Sequence, residues 1–180
     1  MRHGRPLVRD VSPITGRELG AWVRHYNECG IDRDIPPPDT LRQLAASAGR
    51  VLSSDLRRST ESASCLSNSA VVEPRLREAG LPDRIGIPIP LHPGICVALA
   101  RVAWWLDWSR SAETIADTRE RAGRAADRLC KLANRHGSVL VVGHRMFNGF
   151  VAKCLRQRGW SGPRVLPREH WSVARFVRNL

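Results

Sequence analysis

The sequence predicts an α/β fold, a three-layer α/β/α sandwich around a mostly parallel central sheet. Three observations carry this. Arg50-Val51-Leu52-Ser53 and Ser138 to Val142 are short runs of strand length, and each leads into a segment of helical character. The chain of 180 residues suits one domain large enough to bury a core. The expected organisation is a single domain over residues 1–180.

The elements follow in order. Thr15-Gly16-Arg17-Glu18 has capping-box spacing and predicts a helix to about Glu28, ended by Gly30. Pro36-Pro37-Pro38 is a short stiff connector, and a second helix is expected over Thr40 to Ala48. After the strand at 50–53, Ser54 or Asp55 is placed to cap a helix reaching about Leu66. Ala70 to Val72 reads as another short strand, and the Gly- and Pro-rich residues 79–92 as a loop. Pro93 to Trp108 is apolar and helical, but too short and interrupted to span a bilayer. At helical spacing its Trp104, Trp105 and Trp108 are expected in core or lid packing. Ala112 to Asn134 is the longest predicted helix, stopped by Gly137. The strand at 138–142 leads into a helix from Met146 to Arg156, and a final strand is expected over Trp171 to Val177.

Composition narrows the function classes. The net charge is +12, and Lys131 and Lys153 are the only lysines, so arginine supplies nearly all of the positive charge. A nucleic-acid binder gathers its cations into a block or stripe. Here they are scattered and often flank acids, as in Arg119-Glu120-Arg121, which is the pattern of a solvated face. No specific nucleic-acid partner is expected, and the residual field favours anionic ligands in general, among which phosphate esters qualify. No membrane-spanning run and no signal-like opening are found. The five cysteines are odd in number and lack Cys-x-x-Cys spacing. They are expected to be reduced, mostly buried thiols of a cytoplasmic protein, with no structural zinc site.

Chemistry-bearing residues fall into four places: Arg2-His3-Gly4, Ser53-Ser54-Asp55-Leu56-Arg57-Arg58-Ser59, Leu76-Arg77-Glu78 and Val141-Val142-Gly143-His144. Phosphoryl transfer through histidine asks for such a set. It needs a neutral imidazole as nucleophile, cationic donors on the non-bridging oxygens, and an acid to protonate the leaving alcohol. Arginine suits the second task because its planar fork engages two phosphate oxygens at once. Cations beside His3 would also disfavour its protonation. Arg58 and His144 are both expected at carboxyl ends of strands near helix N-termini, where anions are favoured. The chemistry requires no metal and no cofactor.

In order and spacing these motifs resemble the histidine phosphatase superfamily, whose fold is called phosphoglycerate-mutase-like, and the resemblance covers nearly the whole chain. It implies that His3 is the residue phosphorylated and that Arg2, Arg58 and His144 hold phosphate. It also implies that Glu78 is the proton donor, with Glu73 and Glu61 in reserve. Arg135-His136-Gly137 repeats the three-letter motif but ends a predicted helix, so His136 is read as helix-terminal and not catalytic. His25, His92 and His170 are read as ordinary surface or core histidines.

Some features depart from the family pattern. Members carry an apolar central strand just before Arg-His-Gly, where this chain has only Met1, and the expectation is a working protein that begins several residues upstream. Arg5-Pro6 replaces an acidic or polar residue and Thr, and Arg145 stands where Gly is common, adding a cation at the rim. The expected function is a metal-independent phosphatase acting on phosphate monoesters, or on phosphohistidine of a protein, through a phosphohistidine intermediate. Mutase activity is disfavoured by the chain's length. The alternative is a catalytically inactive member that binds a phosphorylated or anionic partner. Residues 79–110 are expected to form a cap over the site and to set specificity.

Overall fold

The computed structural model describes residues 1–108 and 113–178. Its sheet has three parallel strands, β1 (Arg50–Ser53), β2 (Val71–Val72) and β3 (Val139–Val142), in the order β2-β1-β3. The described residues form six α-helices: α1 (Leu19–Glu28), α2 (Asp39–Ala46), α3 (Arg57–Ser64), α4 (Pro93–Trp105), α5 (Ile115–His136) and α6 (Arg145–Gln157).

Strand alternation sorts the core into layers. Val51, Leu140 and Val142 pack on one face with Leu41 and Ala45 of α2, Ala63 of α3, Met1 and Trp171. Leu52 points the other way, into a cluster with Ala122, Ala126 and Leu129 of α5 and Phe147 and Val151 of α6. Helices therefore cover both faces, and the α/β sandwich predicted from sequence is present. A satellite cluster joins Leu19 of α1 to Cys96 and Ala100 of α4, with Leu81, Ile85 and Leu91 of the intervening loop packed against it.

Residues 1–3 extend the sheet beyond β3. Met1 nitrogen donates to Val141 O at 2.6 Å, Gly143 N to Met1 O at 3.1 Å, and His3 N to Gly143 O at 3.1 Å. Arg2 and Gly143 thus form a parallel bridge. On the far side, Arg2 N donates to Ser172 O and Trp171 N to His3 O.

Several boundaries match the sequence reading closely. β1 is the predicted strand residue for residue. Thr114 and Asp117 form a reciprocal capping box at the start of α5, and the helix stops at Gly137, whose φ is +77°. Ala112, the predicted start of that helix, lies outside the described residues. Other expectations need correction. Neither Ser54 nor Asp55 caps α3: its N-cap is Leu56, which has no side chain to serve. Ser54 is turned toward His144, and Asp55 pairs with Arg77 at 3.0 Å. The strand expected over Trp171 to Val177 does not form. Trp171 takes a positive φ of 61°, its Nε1 donates to Ile35 O, and beyond Ser172 only Val177 pairs, in an isolated bridge to Ser161. Of the five free cysteines only Cys96 is buried. Trp104 is core, whereas Trp105 and Trp108 are 45% and 81% exposed. Among the described residues no helix is long and apolar enough to cross a membrane.

Gly137→Ala is expected to lower stability by about 1 kcal/mol, since a side chain is strained at this φ. A shift of the denaturant midpoint at unchanged slope checks this, and an unshifted midpoint would contradict it.

Candidate active site

The carboxyl ends of the strands collect the side chains singled out above. β1 runs into Ser54 and then α3, which carries Arg58 on its first turn. β3 runs into Gly143 and His144, the N-cap residue of α6. The parallel bridge at Gly143 sets His3 alongside, and the rings of His3 and His144 lie 5.0 Å apart between centroids. His3, Arg58 and His144 are each at most 3% exposed.

His3 is oriented through its backbone neighbour. Its Nδ1 lies 2.7 Å from Gly4 O, so Nδ1 carries the proton that this carbonyl accepts and Nε2 presents a lone pair. Arg58 Nε donates to that Nε2 at 3.3 Å. Gly4 has no side chain because Trp171 leaves no room for one: a Cβ there would stand 2.5 Å from the indole. Gly4 N in turn donates to Ser62 Oγ of α3 at 2.8 Å, tying the motif to the helix that bears Arg58.

Arg58 is held without a carboxylate. Its guanidinium lies 4.6 Å from the centre of the Tyr26 ring and donates to Tyr26 O and to Asn27 Oδ1 at the end of α1. Arg2 donates through Nη1 to Arg168 O, while its Nε is buried without a protein partner. His144 Nδ1 is likewise buried and unpartnered. Two buried nitrogens of the cluster, Arg2 Nε and His144 Nδ1, thus have no hydrogen-bond partner among the described residues.

Electrostatics keep both imidazoles neutral. Burial is the main cause and brings the His3 pKa down to about 3, with Arg58, His170 and Arg2 adding to the effect against the Gly4 hydrogen bond. His144 is held well below the usual histidine range by burial and then by Arg58 and His3. Cation proximity, the cause expected from sequence, is thus secondary to desolvation.

Glu78 lies at the other side of the cluster. Its carboxylate accepts the backbone N–H groups of Ala79, Met146 and Phe147, which fixes it on the first turn of α6. Two of the first-turn α6 amides expected to favour a bound anion, those of Met146 and Phe147, are therefore already engaged by Glu78. Its charge nonetheless acts on Arg2, Arg58 and Arg101. The two reserve acids are engaged elsewhere. Glu61 accepts from Ile31 N and pairs with Arg57, and Glu73 pairs with Arg75 and Arg128. His136 ends α5 and is exposed.

Sequence reasoning missed His170. Read as an ordinary histidine, it stands 5.4 Å from His3 between ring centroids, with its Nδ1 3.2 Å from His3 O. Nothing local signals this, because the contact spans 167 residues. It also passed over Tyr26 and Asn27. His92 does keep a structural role: its Nδ1 accepts from Gly94 N at the start of α4.

Comparison with known proteins now bears on the site. The family description "Histidine phosphatase superfamily (branch 1)" matches residues 39–179. The chain belongs to the histidine phosphatase superfamily. The match lies C-terminal to Arg2-His3-Gly4, so the first histidine enters the site on the geometry above. Solved structures agree on the fold. A mycobacterial glucosyl-3-phosphoglycerate phosphatase aligns with a TM-score of 0.56 at 22% identity, over 87% of this chain and 77% of that one. The ecdysone phosphate phosphatase of Bombix mori, solved with tungstate, aligns with a TM-score of 0.52 at 17% identity, over 98% and 83%. The product of an open reading frame of Mycobacterium tuberculosis aligns with a TM-score of 0.51 at 19% identity, over 98% and 92%. No curated protein matches the sequence.

The buried histidines of this superfamily member make a testable contribution to acid sensitivity. A histidine whose folded pKa is depressed binds a proton more readily when unfolded, so stability falls as pH drops below about 6.5 toward the folded value. For His3 the loss at pH 4 is on the order of 3 kcal/mol. Urea unfolding between pH 7 and 4 should show a steeper decline for the parent chain than for His3→Gln, and equal slopes would contradict the assignment.

Proposed function

We propose that the chain is a phosphatase that hydrolyses phosphate monoesters, or phosphohistidine on a protein, through a phosphohistidine intermediate on His3. One observation carries the reading. A neutral imidazole whose Nε2 carries no proton stands in a buried cluster with two unpartnered nitrogens, Arg2 Nε and His144 Nδ1, and these suit phosphoryl oxygens when both carry a proton.

In this mechanism His3 Nε2 attacks phosphorus, the ester P–O bond breaks, and the leaving oxygen takes a proton. Gly4 O holds the Nδ1 proton, so positive charge developing on the ring is stabilised as the P–N bond forms. Arg58, Arg2 and His144 hold the transferring oxygens. Water then attacks the phosphohistidine, the P–N bond breaks and its electron pair returns to Nε2. Glu78 is the proton donor in the first step and the acceptor in the second, after a rotation that frees an oxygen from the α6 amides. Arg145, exposed at the start of α6 and acting on Arg2, and Arg5, which acts on His170, give the entrance a positive field. Residues 79–108 pack on α1 and serve as the cap that selects the substrate. Positions 109–110 of the cap expected from sequence lie outside the described residues. The substrate is a small phosphorylated molecule or a phosphoprotein, and the site uses no metal.

One observation favours a second reading, a binder of phosphorylated partners without turnover: Glu78 is committed to three backbone donors. Phosphate release from a generic aryl phosphate decides between them. His3→Ala should reduce release by about 10³-fold or more. Glu78→Gln should cost about 10²–10⁴-fold with an alkyl phosphate and much less with an aryl phosphate, whose leaving group needs no proton. A parent chain that binds inorganic phosphate but releases none from either ester would establish the binder.

A further inference from the structure

The segment that delivers Arg58 also reaches His144. Ser54 Oγ lies 2.6 Å from His144 Nε2, and Ser59 Oγ lies 3.2 Å from the same nitrogen. Both serines are fully buried at 0% exposure, and His144 is 1% exposed. Ser54 N donates to Val142 O, so this side chain is held in line with the end of β3.

The direction of these bonds follows from proton counting. Ser54 Oγ accepts the Leu56 N–H at 3.3 Å, and that amide can only donate. The hydroxyl proton of Ser54 must then find an acceptor, and its one remaining partner is His144 Nε2. Ser59 Oγ has only that same nitrogen within reach. Were Nε2 protonated, two buried hydroxyl protons would have no acceptor, and Nδ1 would hold a buried lone pair. With Nε2 bare, it accepts from Ser54 and shares Ser59, and the ring's single proton sits on Nδ1. That is the nitrogen left without a protein partner.

We propose that Ser54, assisted by Ser59, is a positioning residue that fixes His144 as the Nδ1–H tautomer and so turns a donor toward the phosphoryl group at His3. The tautomer stands on the hydrogen-bond geometry alone, whereas its use toward a phosphoryl group rests on the phosphatase reading. The consequence is chemical. Phosphoryl oxygens only accept, so an imidazole offering a lone pair at that position would repel them, whereas an N–H binds them. Ser54 makes no hydrogen bond to His3 and would act on the phosphoryl group only through His144.

The test uses the full chain with ¹⁵N-labelled histidine, assigned by comparison with His144→Gln. In the parent at pH 7 the His144 Nδ1 resonance should be that of a protonated nitrogen and Nε2 that of a bare one. Ser54→Ala should move the ring toward the other tautomer, and Ser54→Thr should restore it. Inorganic phosphate, used as the probe, should bind Ser54→Ala about tenfold more weakly. Ser59→Ala gives a second variant that loses the longer contact alone, with a smaller shift in the same direction. A protonated Nε2 in the parent, or a Ser54→Ala protein with unchanged tautomer and phosphate affinity, would overturn the proposal, while phosphate release by the parent decides the phosphatase reading separately. A parent with the expected tautomer that releases no phosphate would uphold the positioning role and remove only the phosphatase reading.

Discussion

The pairing of residues 1–3 with residues 141–143 is the constraint from which the site follows. Gly143 donates to Met1 O and accepts from His3 N, so the two histidines arrive at one point from chain segments more than 100 residues apart. The glycine is required by what lies behind it. A Cβ there would approach Asn148 Oδ1 to 2.6 Å, and Asn148 donates through its Nδ2 to the same Met1 carbonyl. A larger residue at this position would have to displace the Asn148 side chain, and with it the Asn148 bond to Met1 O.

Crowding guanidinium and imidazole groups in one buried space would be unfavourable if all were charged. The structure resolves this by keeping both imidazoles neutral through burial, while Arg58 is retained by a ring face, a carbonyl and an amide oxygen. Carbonyls and aromatic faces stabilise a guanidinium without cancelling its charge as a carboxylate would. The Arg58 charge is therefore not paired with a carboxylate in direct contact. Glu78, the acid nearest these groups electrostatically, is turned onto the amides of α6.

Much of this was legible in the sequence, and what was not has physical causes. β1 and the end of α5 could be read because the signals are local: an apolar run of strand length, and a glycine where a left-handed turn is needed. The four motifs could be placed together because parallel α/β sheets gather their loops at one end. The supposed last strand failed because Val173 and Val177 carry β-propensity without a neighbouring strand to pair with, and propensity yields to tertiary context. Ser54 was misread for a related reason. A serine before a helix is usually a cap, but a buried imidazole across the sheet offered a stronger acceptor. His170 had no local signal, and only the folded chain shows that it stands over His3.

Trp171 has a role in time as well as in space. It backs Gly4, accepts nothing from the sheet, and donates to His3 O and Ile35 O, so the pocket is closed by a residue synthesised more than 160 positions after His3. Contacts of such sequence separation carry the largest loop-closure cost and form after local structure. Local helices and the β1–β3 pairing need no contact with Trp171, whereas the cluster around His3 is closed only once that residue is in place. A growing chain thus lacks the wall behind Gly4 until synthesis has passed residue 171, and the closed pocket is a property of the long-range fold and not of any local segment.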